Sequence, residues 1–164
     1  MIHLNYKIDK PKWRNLFYEN LKFGEWHWSV PKKQDLYWYQ IYITDDHPLK
    51  EYTREVEQDL NIEGMNNYPR FSYQFPNTRL KPHLDEDNMV SININLLDTT
   101  PIIYLERYPK SASGWSEPYE AAFINVGKIR HGVEPDPNPR LILKFAIRHP
   151  WDEVFFRLPD GMIM

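Results

Sequence analysis

Two stretches near the start of the chain have the spacing of amphipathic helices. From Lys12 to Phe23 apolar residues recur at roughly three- and four-residue intervals, and Pro11 stands where a helix can begin. A second stripe runs from Pro48 to about Leu60, after an Asp-His pair that could cap it. Between the two, the aromatic tract from Leu36 to Ile43 suits a strand. The first 64 residues therefore predict two helices and one strand.

After Gly64 the pattern changes to short β-type runs separated by Pro, Asn and Asp. Six strands are predicted, at Arg70 to Phe75, Leu80 to Leu84, Met89 to Leu97, Pro101 to Tyr108, Ala121 to Val126, and Arg140 to Arg148. Short strands that follow two helices favour a β-sandwich or barrel with the helices outside. We predict a mainly β, single-domain chain (1–164). In it, an N-terminal support region (1–64) precedes a double-stranded β-helix, a cupin-like jelly roll (65–150).

The composition limits the kinds of metal site that the chain can form. The 164 residues are 41% hydrophobic and 26% charged, which is typical of one globular domain, and they include no cysteine. Disulfides, thiolate zinc sites and iron–sulfur clusters are thereby excluded, so any metal must be held by His, Asp or Glu.

The net charge of −3 gives no support for nucleic-acid binding. No apolar run approaches the ~18 residues of a membrane span, and the first residues lack the apolar core of a signal peptide. We expect a soluble, cytoplasmic protein with a small-molecule or peptide substrate and no membrane or nucleic-acid partner.

The first candidate site is His83-Leu84-Asp85. Residues two apart in a strand point to the same face, so the imidazole and the carboxylate could converge on one cation. Alone, this triplet is better explained as a surface turn, since Glu86-Asp87-Asn88 follows it.

Two later residues, His131 and Arg140, favour a metal site over a surface turn. His131 lies between a predicted strand and the proline-rich segment 135–139, and Arg140 opens the last predicted strand. The segment between Asp85 and His131 leaves room for three strands to return the chain to the same end of the barrel. Two imidazoles and one carboxylate form the facial triad of non-haem Fe(II) oxygenases, and an Arg supplies a planar fork for a carboxylate.

Over about residues 68–147 the sequence resembles the Fe(II)/2-oxoglutarate-dependent dioxygenase superfamily. It shares the superfamily's order of residues, which is His, any residue, Asp, a long gap, His, and then Arg. The segments 73–76, 105–109 and 122–140 look most like its prolyl hydroxylase branch, whereas 81–85 and 123–133 also look like its aspartyl/asparaginyl hydroxylase branch. The resemblance implies that His83, Asp85 and His131 bind Fe(II) and that Arg140 binds the distal carboxylate of 2-oxoglutarate. It further implies an O2-dependent hydroxylase that acts on an amino acid or a peptidyl substrate, with a prolyl residue among the candidates, and that releases succinate and CO2.

Secondary positions follow from the same resemblance. Asn93 and Asn95 lie on the polar face of a predicted strand from which the family contacts 2-oxoglutarate, and Tyr73 stands where prolyl hydroxylases tend to carry a site tyrosine. A core aromatic and a solvated strand face are the alternatives. The family often has Ser or Thr two residues after the Arg, where this chain has Ile142. The second carboxylate contact is therefore expected from Asn95 or Tyr104.

Three alternatives stay open at this point. Lys144 and Arg148 share the predicted face of Arg140, so either could be a rival carboxylate anchor. The chain could instead be a cupin-like divalent-metal protein that does not turn over 2-oxoglutarate. It could also be a metal-free jelly-roll domain with a binding or structural role.

Overall fold

The computed structural model describes residues 1–28, 37–107 and 114–164. Over these ranges the chain forms eleven strands, three α-helices and one 3₁₀ turn. In chain order they are β1 (Ile2–His3), α1 (Lys10–Glu19), the 3₁₀ turn (Leu21–Phe23), β2 (Glu25–Trp28), β3 (Tyr37–Tyr42), α2 (Lys50–Asp59), β4 (Asn67–Gln74), β5 (Leu80–His83), β6 (Val90–Asn95), β7 (Ile102–Arg107), β8 (Trp115–Pro118), β9 (Ala121–Ile124), β10 (Ile129–Val133), β11 (Arg140–Ile147) and α3 (Trp151–Phe155).

The strands form two antiparallel sheets. Within the described residues the large sheet has the order β1-β9-β6-β11-β4-β3-β2, and the small sheet has the order β5-β10-β7-β8. Strands that follow one another in the chain repeatedly change sheet, as in a double-stranded β-helix. The predicted jelly roll is confirmed.

Strict alternation along β11 gives the large sheet two different faces. Leu141, Leu143 and Phe145 belong to the main hydrophobic core, whereas Arg140 and Lys144 project from the other face into a cavity. Strands β4 and β6 repeat this pattern, with apolar side chains on the core side and polar ones on the cavity side. One face of the sheet therefore stabilises the fold while the other forms the floor of a polar cavity.

The two long helices cover the apolar face. Trp13 and Phe17 of α1 pack on Phe71 of β4, with ring centroids 6.0 and 5.5 Å apart. All three side chains are buried, and each such burial contributes roughly 1.5–3 kcal/mol to stability. Val56 of α2 belongs to the same core. The helices thus hold the large sheet rigid from outside, and the cavity side is left open.

The helix starts differ in how well the sequence predicted them. Helix α1 begins near Pro11 as expected, and the Asp9 carboxylate accepts a hydrogen bond from the Lys12 backbone N–H at 3.1 Å. Helix α2 begins two residues later than predicted. The His47 ring accepts a hydrogen bond from the Leu49 N–H at 3.0 Å, which makes a turn before the helix rather than a cap on it.

All six strands predicted after Gly64 are present, with bounds that differ by at most three residues where both ends are described. The predicted ends at Leu36 and Tyr108 lie outside the described residues. Strands β1, β2, β8 and β10 and helix α3 were not predicted, because they are short or interrupted by polar residues. As a result, four described strands rather than three separate Asp85 from β10.

Strands β1, β2 and β3 come from residues 1–64, yet they lie in the large sheet beside strands of the predicted jelly-roll core. Among the helices in the described ranges, none is long and apolar enough to cross a membrane.

Candidate metal centre

His83 and His131 are opposite one another in the small sheet. His83 is the last residue of β5, and the antiparallel pairing of β5 with β10 sets it directly across from His131. Side chains of directly opposed residues project from the same face about 5 Å apart. The two imidazole centroids are indeed 4.5 Å apart.

Gly132 allows β10 to approach β5 this closely. A Cβ atom at this position would lie 2.5 Å from the carbonyl oxygen of Leu80 and 3.0 Å from the nitrogen of Pro82. The pairing register also shifts here: two residues of β5, Lys81 and Pro82, lie opposite the single Gly132, so the extra residue of the bulge is in β5. Any larger residue would have to push the two histidine-bearing strands apart.

Asp85 completes the cluster from the segment after β5. Its Oδ1 lies 3.3 Å from Nε2 of His83 and 3.4 Å from Nε2 of His131. The Asp85 backbone N–H donates to the carbonyl of Val126 at 3.1 Å, which fixes the segment. In the part of the chain that the structure describes, this is the one His, Asp or Glu cluster whose ligand atoms all lie within 4.8 Å of one another.

The donor set fits a divalent transition metal. Two ligand atoms at right angles, each about 2.1 Å from one ion, are separated by about 3 Å, close to the two observed separations. Two imidazole nitrogens and one carboxylate oxygen on one side of an ion leave its other positions free for ligands from the cavity.

Backbone carbonyls orient both imidazoles. Nδ1 of His83 lies 3.0 Å from the carbonyl oxygen of Lys81, and Nδ1 of His131 lies 3.1 Å from that of Ile129. A proton on each Nδ1 satisfies these contacts and leaves each Nε2 lone pair directed at the shared point. The tautomers needed for metal binding are therefore held by the strands themselves.

Burial and charge keep the cluster in its ligating form. Burial lowers the pKa of His131, so this imidazole is neutral at pH 7. For Asp85, burial acts to raise the pKa, but the neighbouring imidazoles of His131 and His83 and the charge of Lys144 outweigh it and hold the pKa well below its usual range. Burial also lowers the pKa of Lys144, to about 8, which leaves the amine largely charged at pH 7.

The cluster opens into a cavity of about 390 Å³ between the two sheets. This volume is within the usual range for small-molecule sites. The histidines lie on the wall formed by the small sheet, and the cavity side of β4, β6 and β11 forms the opposite wall. Strands β4, β6 and β11 contribute Arg70, Ser72, Asn93, Arg140, Ile142 and Lys144 to that wall, and Trp38 and Gln40 of β3 also line the cavity.

Arg140 lies in the cavity as predicted and is held by two neighbours. Its Nη1 donates to Oε1 of Gln74 at 3.1 Å, and its Nη2 donates to the hydroxyl oxygen of Tyr119 at 2.8 Å. Its Nε is buried and has no hydrogen-bond partner among the described residues. A buried guanidinium that is held in place and still has N–H groups to donate is suited to binding a carboxylate.

Of the two asparagines, only Asn93 lines the cavity, where its Oδ1 accepts a hydrogen bond from the Ser91 hydroxyl at 3.0 Å. The amide of Asn95 donates instead to the backbone carbonyls of Leu97 and Thr99 and accepts from the Leu97 N–H at 3.1 Å. The expectation that Asn95 contacts the cosubstrate is therefore corrected. Asn95 ties down the turn after β6, where the strand ends.

Tyr73 also departs from its expected role. Its neighbours Ser72 and Gln74 are directed to the cavity side, so alternation turns Tyr73 toward the helices, where its ring stacks on Phe17 with centroids 5.9 Å apart. The core aromatic, which was the alternative for this position, is the correct one.

Tyr104, the other candidate for the second carboxylate contact, donates to Glu106 at 3.2 Å and does not line the cavity. Tyr119 lies beside Arg140 instead. Its side chain is buried, and its hydroxyl supports the guanidinium.

Among the remaining basic residues, Lys144 faces the cavity as its alternation with Arg140 predicted. Arg148 does not, since it is exposed and stacks over the ring of Tyr68 at 4.5 Å. Sequence reasoning missed Arg70 and Gln74, although Arg70, Ser72 and Gln74 alternate on one face of a predicted strand.

Solved structures of similar shape include two oxygenases. One is a prolyl-4-hydroxylase from Pseudomonas putida, with a TM-score of 0.60 and 15% identity over 85% of each chain. The other is an oxidoreductase of the 2OG-Fe(II) oxygenase family from Burkholderia pseudomallei, with a TM-score of 0.59 and 14% identity over 85% of this chain and 79% of that one. The chain has the fold of these oxygenases. Neither family models nor the sequences of curated proteins give a match to it.

Proposed function

We propose that this chain is an Fe(II)- and 2-oxoglutarate-dependent dioxygenase that hydroxylates an amino acid or a peptidyl substrate, with a prolyl residue among the candidates. The observation that carries the proposal is the convergence of His83, Asp85 and His131 on one point beside a cavity that contains the buried Arg140. The fold shared with two oxygenases supports it.

Each residue has a defined part in this proposal. His83, Asp85 and His131 hold the ferrous ion, and the Lys81 and Ile129 carbonyls keep the imidazoles in the ligating tautomer. Arg140, supported by Gln74, binds the distal carboxylate of 2-oxoglutarate. When bound, iron and 2-oxoglutarate supply the activation of O2 that oxidises a C–H bond, with succinate and CO2 as by-products.

The protein's own contribution is positioning. The apolar face of the large sheet is packed under helices, so the cavity face has little freedom to shift. The two histidines and Arg140 are held on strands, and the backbone hydrogen bond from Asp85 to Val126 fixes the third ligand beside them. This arrangement favours accurate placement of the reacting groups.

The test is the formation of succinate from 2-oxoglutarate by the purified protein with added ferrous iron and O2. We expect His131→Ala to abolish both stoichiometric iron binding and succinate formation while the melting temperature stays within a few degrees. His149→Ala is the matched control, because His149 pairs with Glu153 on the surface and does not line the cavity.

The outcome also decides between the alternatives left open by the sequence. Metal binding without succinate formation would favour a cupin-like metal protein. A protein that binds no divalent metal would favour a binding or structural domain and would end the proposal.

A further inference from the structure

The cavity contains a second basic position besides Arg140. Arg70 of β4 and Lys144 of β11 are opposed in the register of the large sheet, and both face the cavity. We call them the basic pair. Arg140 and its partner Gln74 are opposed in the same two strands four residues away, which is roughly 13 Å along the sheet. The cavity floor therefore has two separate cationic positions.

Among the residues that the structure describes, Arg70 is not paired with a carboxylate. Over the described residues, no Asp or Glu oxygen lies within ion-pair distance of its guanidinium, and its buried Nε has no hydrogen-bond partner. The ring of Tyr42 lies 5.3 Å from the guanidinium carbon. A largely buried guanidinium without a partner is costly, so its position in a cavity points to an anionic ligand.

Asp85 does not neutralise the basic pair. Lys144 Nζ lies 3.9 Å from Asp85 Oδ2. The other oxygen of the same carboxylate, Oδ1, points at both imidazoles. A divalent ion at the centre would more than offset the single charge of Asp85. With 2-oxoglutarate anchored by Arg140, the cavity would still carry an excess of positive charge next to the metal.

The mouth of the cavity carries negative charge. Glu86 and Asp87 line it and are exposed, on the segment that follows Asp85. A ligand with a carboxylate directed inward and an ammonium group directed outward would match both ends.

We propose that the basic pair binds the carboxylate of the primary substrate, and that this substrate is a free amino acid rather than an internal residue of a peptide. This inference rests on the proposed function and refines its substrate class, since an internal peptide residue has no α-carboxylate to offer. Arg70 would act as a fork for the carboxylate, and Lys144 would add a second charge.

The experiment is calorimetric titration of iron-loaded protein under argon, with saturating 2-oxoglutarate, against each of the twenty amino acids and its carboxamide. We expect at least one free acid to bind at least tenfold more tightly than its amide. Arg70→Gln should weaken binding of that acid at least tenfold and leave binding of the amide within threefold. Arg70→Lys should recover part of the loss, and the affinity for 2-oxoglutarate should change less than threefold in both variants.

The control is Arg79→Gln, which removes an exposed arginine that does not line the cavity. The inference is overturned if no free amino acid binds, if acids and amides bind equally, or if Arg70→Gln behaves like the control. Titrations repeated without 2-oxoglutarate, beside the succinate assay, separate the two proposals. Selective binding of acids without succinate formation would refute the dioxygenase activity and support the anion site. Succinate formation without selective binding of acids would refute the anion site alone.

Discussion

Replacing Arg140 by glutamine is expected to weaken 2-oxoglutarate binding while the metal site stays intact. In the structure, Gln74 and Tyr119 hold the guanidinium in place, and Nε has no partner among the described residues. Glutamine can still bond one of these neighbours, but it is shorter and carries no charge. The cosubstrate carboxylate would then be buried without its opposite charge.

The size of the effect follows from burial. Arg140 is only 7% exposed, and removing one member of a buried, hydrogen-bonded charge pair costs about 2–5 kcal/mol. At 1.4 kcal/mol per factor of ten, this corresponds to a rise in dissociation constant between about 30-fold and several thousand-fold. We expect the lower end, roughly 30- to 100-fold, because Lys144 keeps positive charge in the same cavity.

The assay is calorimetric titration of 2-oxoglutarate into iron-loaded protein under argon, with iron stoichiometry measured in parallel. Arg140→Lys should recover part of the affinity, and Arg79→Gln should change nothing. A rise of less than threefold for Arg140→Gln would refute the assignment. If Lys144→Met raised the dissociation constant more than tenfold in the same experiment, the anchor would be Lys144.

Three further results are expected. Burial lowers the pKa of His131, and protonation of an imidazole competes with metal binding, so iron affinity should be level near pH 7 and fall below about pH 6; a flat binding curve from pH 5 to 8 would contradict imidazole ligation. Gly132→Ala should lower the free energy of unfolding by about 1–3 kcal/mol and weaken iron binding, because the new Cβ would press on the Leu80 carbonyl. An unchanged free energy in a denaturant titration would show that the close approach of the two strands is dispensable. Tyr119→Phe should raise the dissociation constant of 2-oxoglutarate about two- to tenfold by removing one hydrogen bond from Arg140, whereas an effect as large as that of Arg140→Gln would mean that Tyr119 contacts the ligand itself.

The candidate metal cluster could be predicted from the sequence because the chemistry of such a site depends on residue type and order. With no cysteine in the chain, a histidine and an aspartate two positions apart and one later histidine before an arginine left few ways to build a metal site. The structure places these residues together. Their roles in binding iron and 2-oxoglutarate stay predictions for the experiments above.

The supporting residues could not be predicted in the same way. Tyr73 was chosen because prolyl hydroxylases tend to carry a site tyrosine at its position, and Asn95 because it lies on the polar face of a predicted strand. Neither argument includes the direction of the Tyr73 side chain or the turn that follows Asn95. Tyr73 faces the helices by alternation, and Asn95 bonds the turn after its strand. Strand β10 was missed because only its first and last residues are aliphatic, so no period of two is visible in its sequence.

The two faces of β11 make this strand intolerant of insertions and deletions. Its odd-numbered residues from Leu141 fill the core, and Arg140 and Lys144 serve the cavity, so loss of a single residue within the strand would exchange the two sets. Two cations would enter the apolar core and leucines would enter the ligand cavity, and stability and ligand binding would fail together. Length variation among relatives of this chain should therefore fall in the proline-rich segment 135–139, where the backbone can absorb it, and not in the strand that follows.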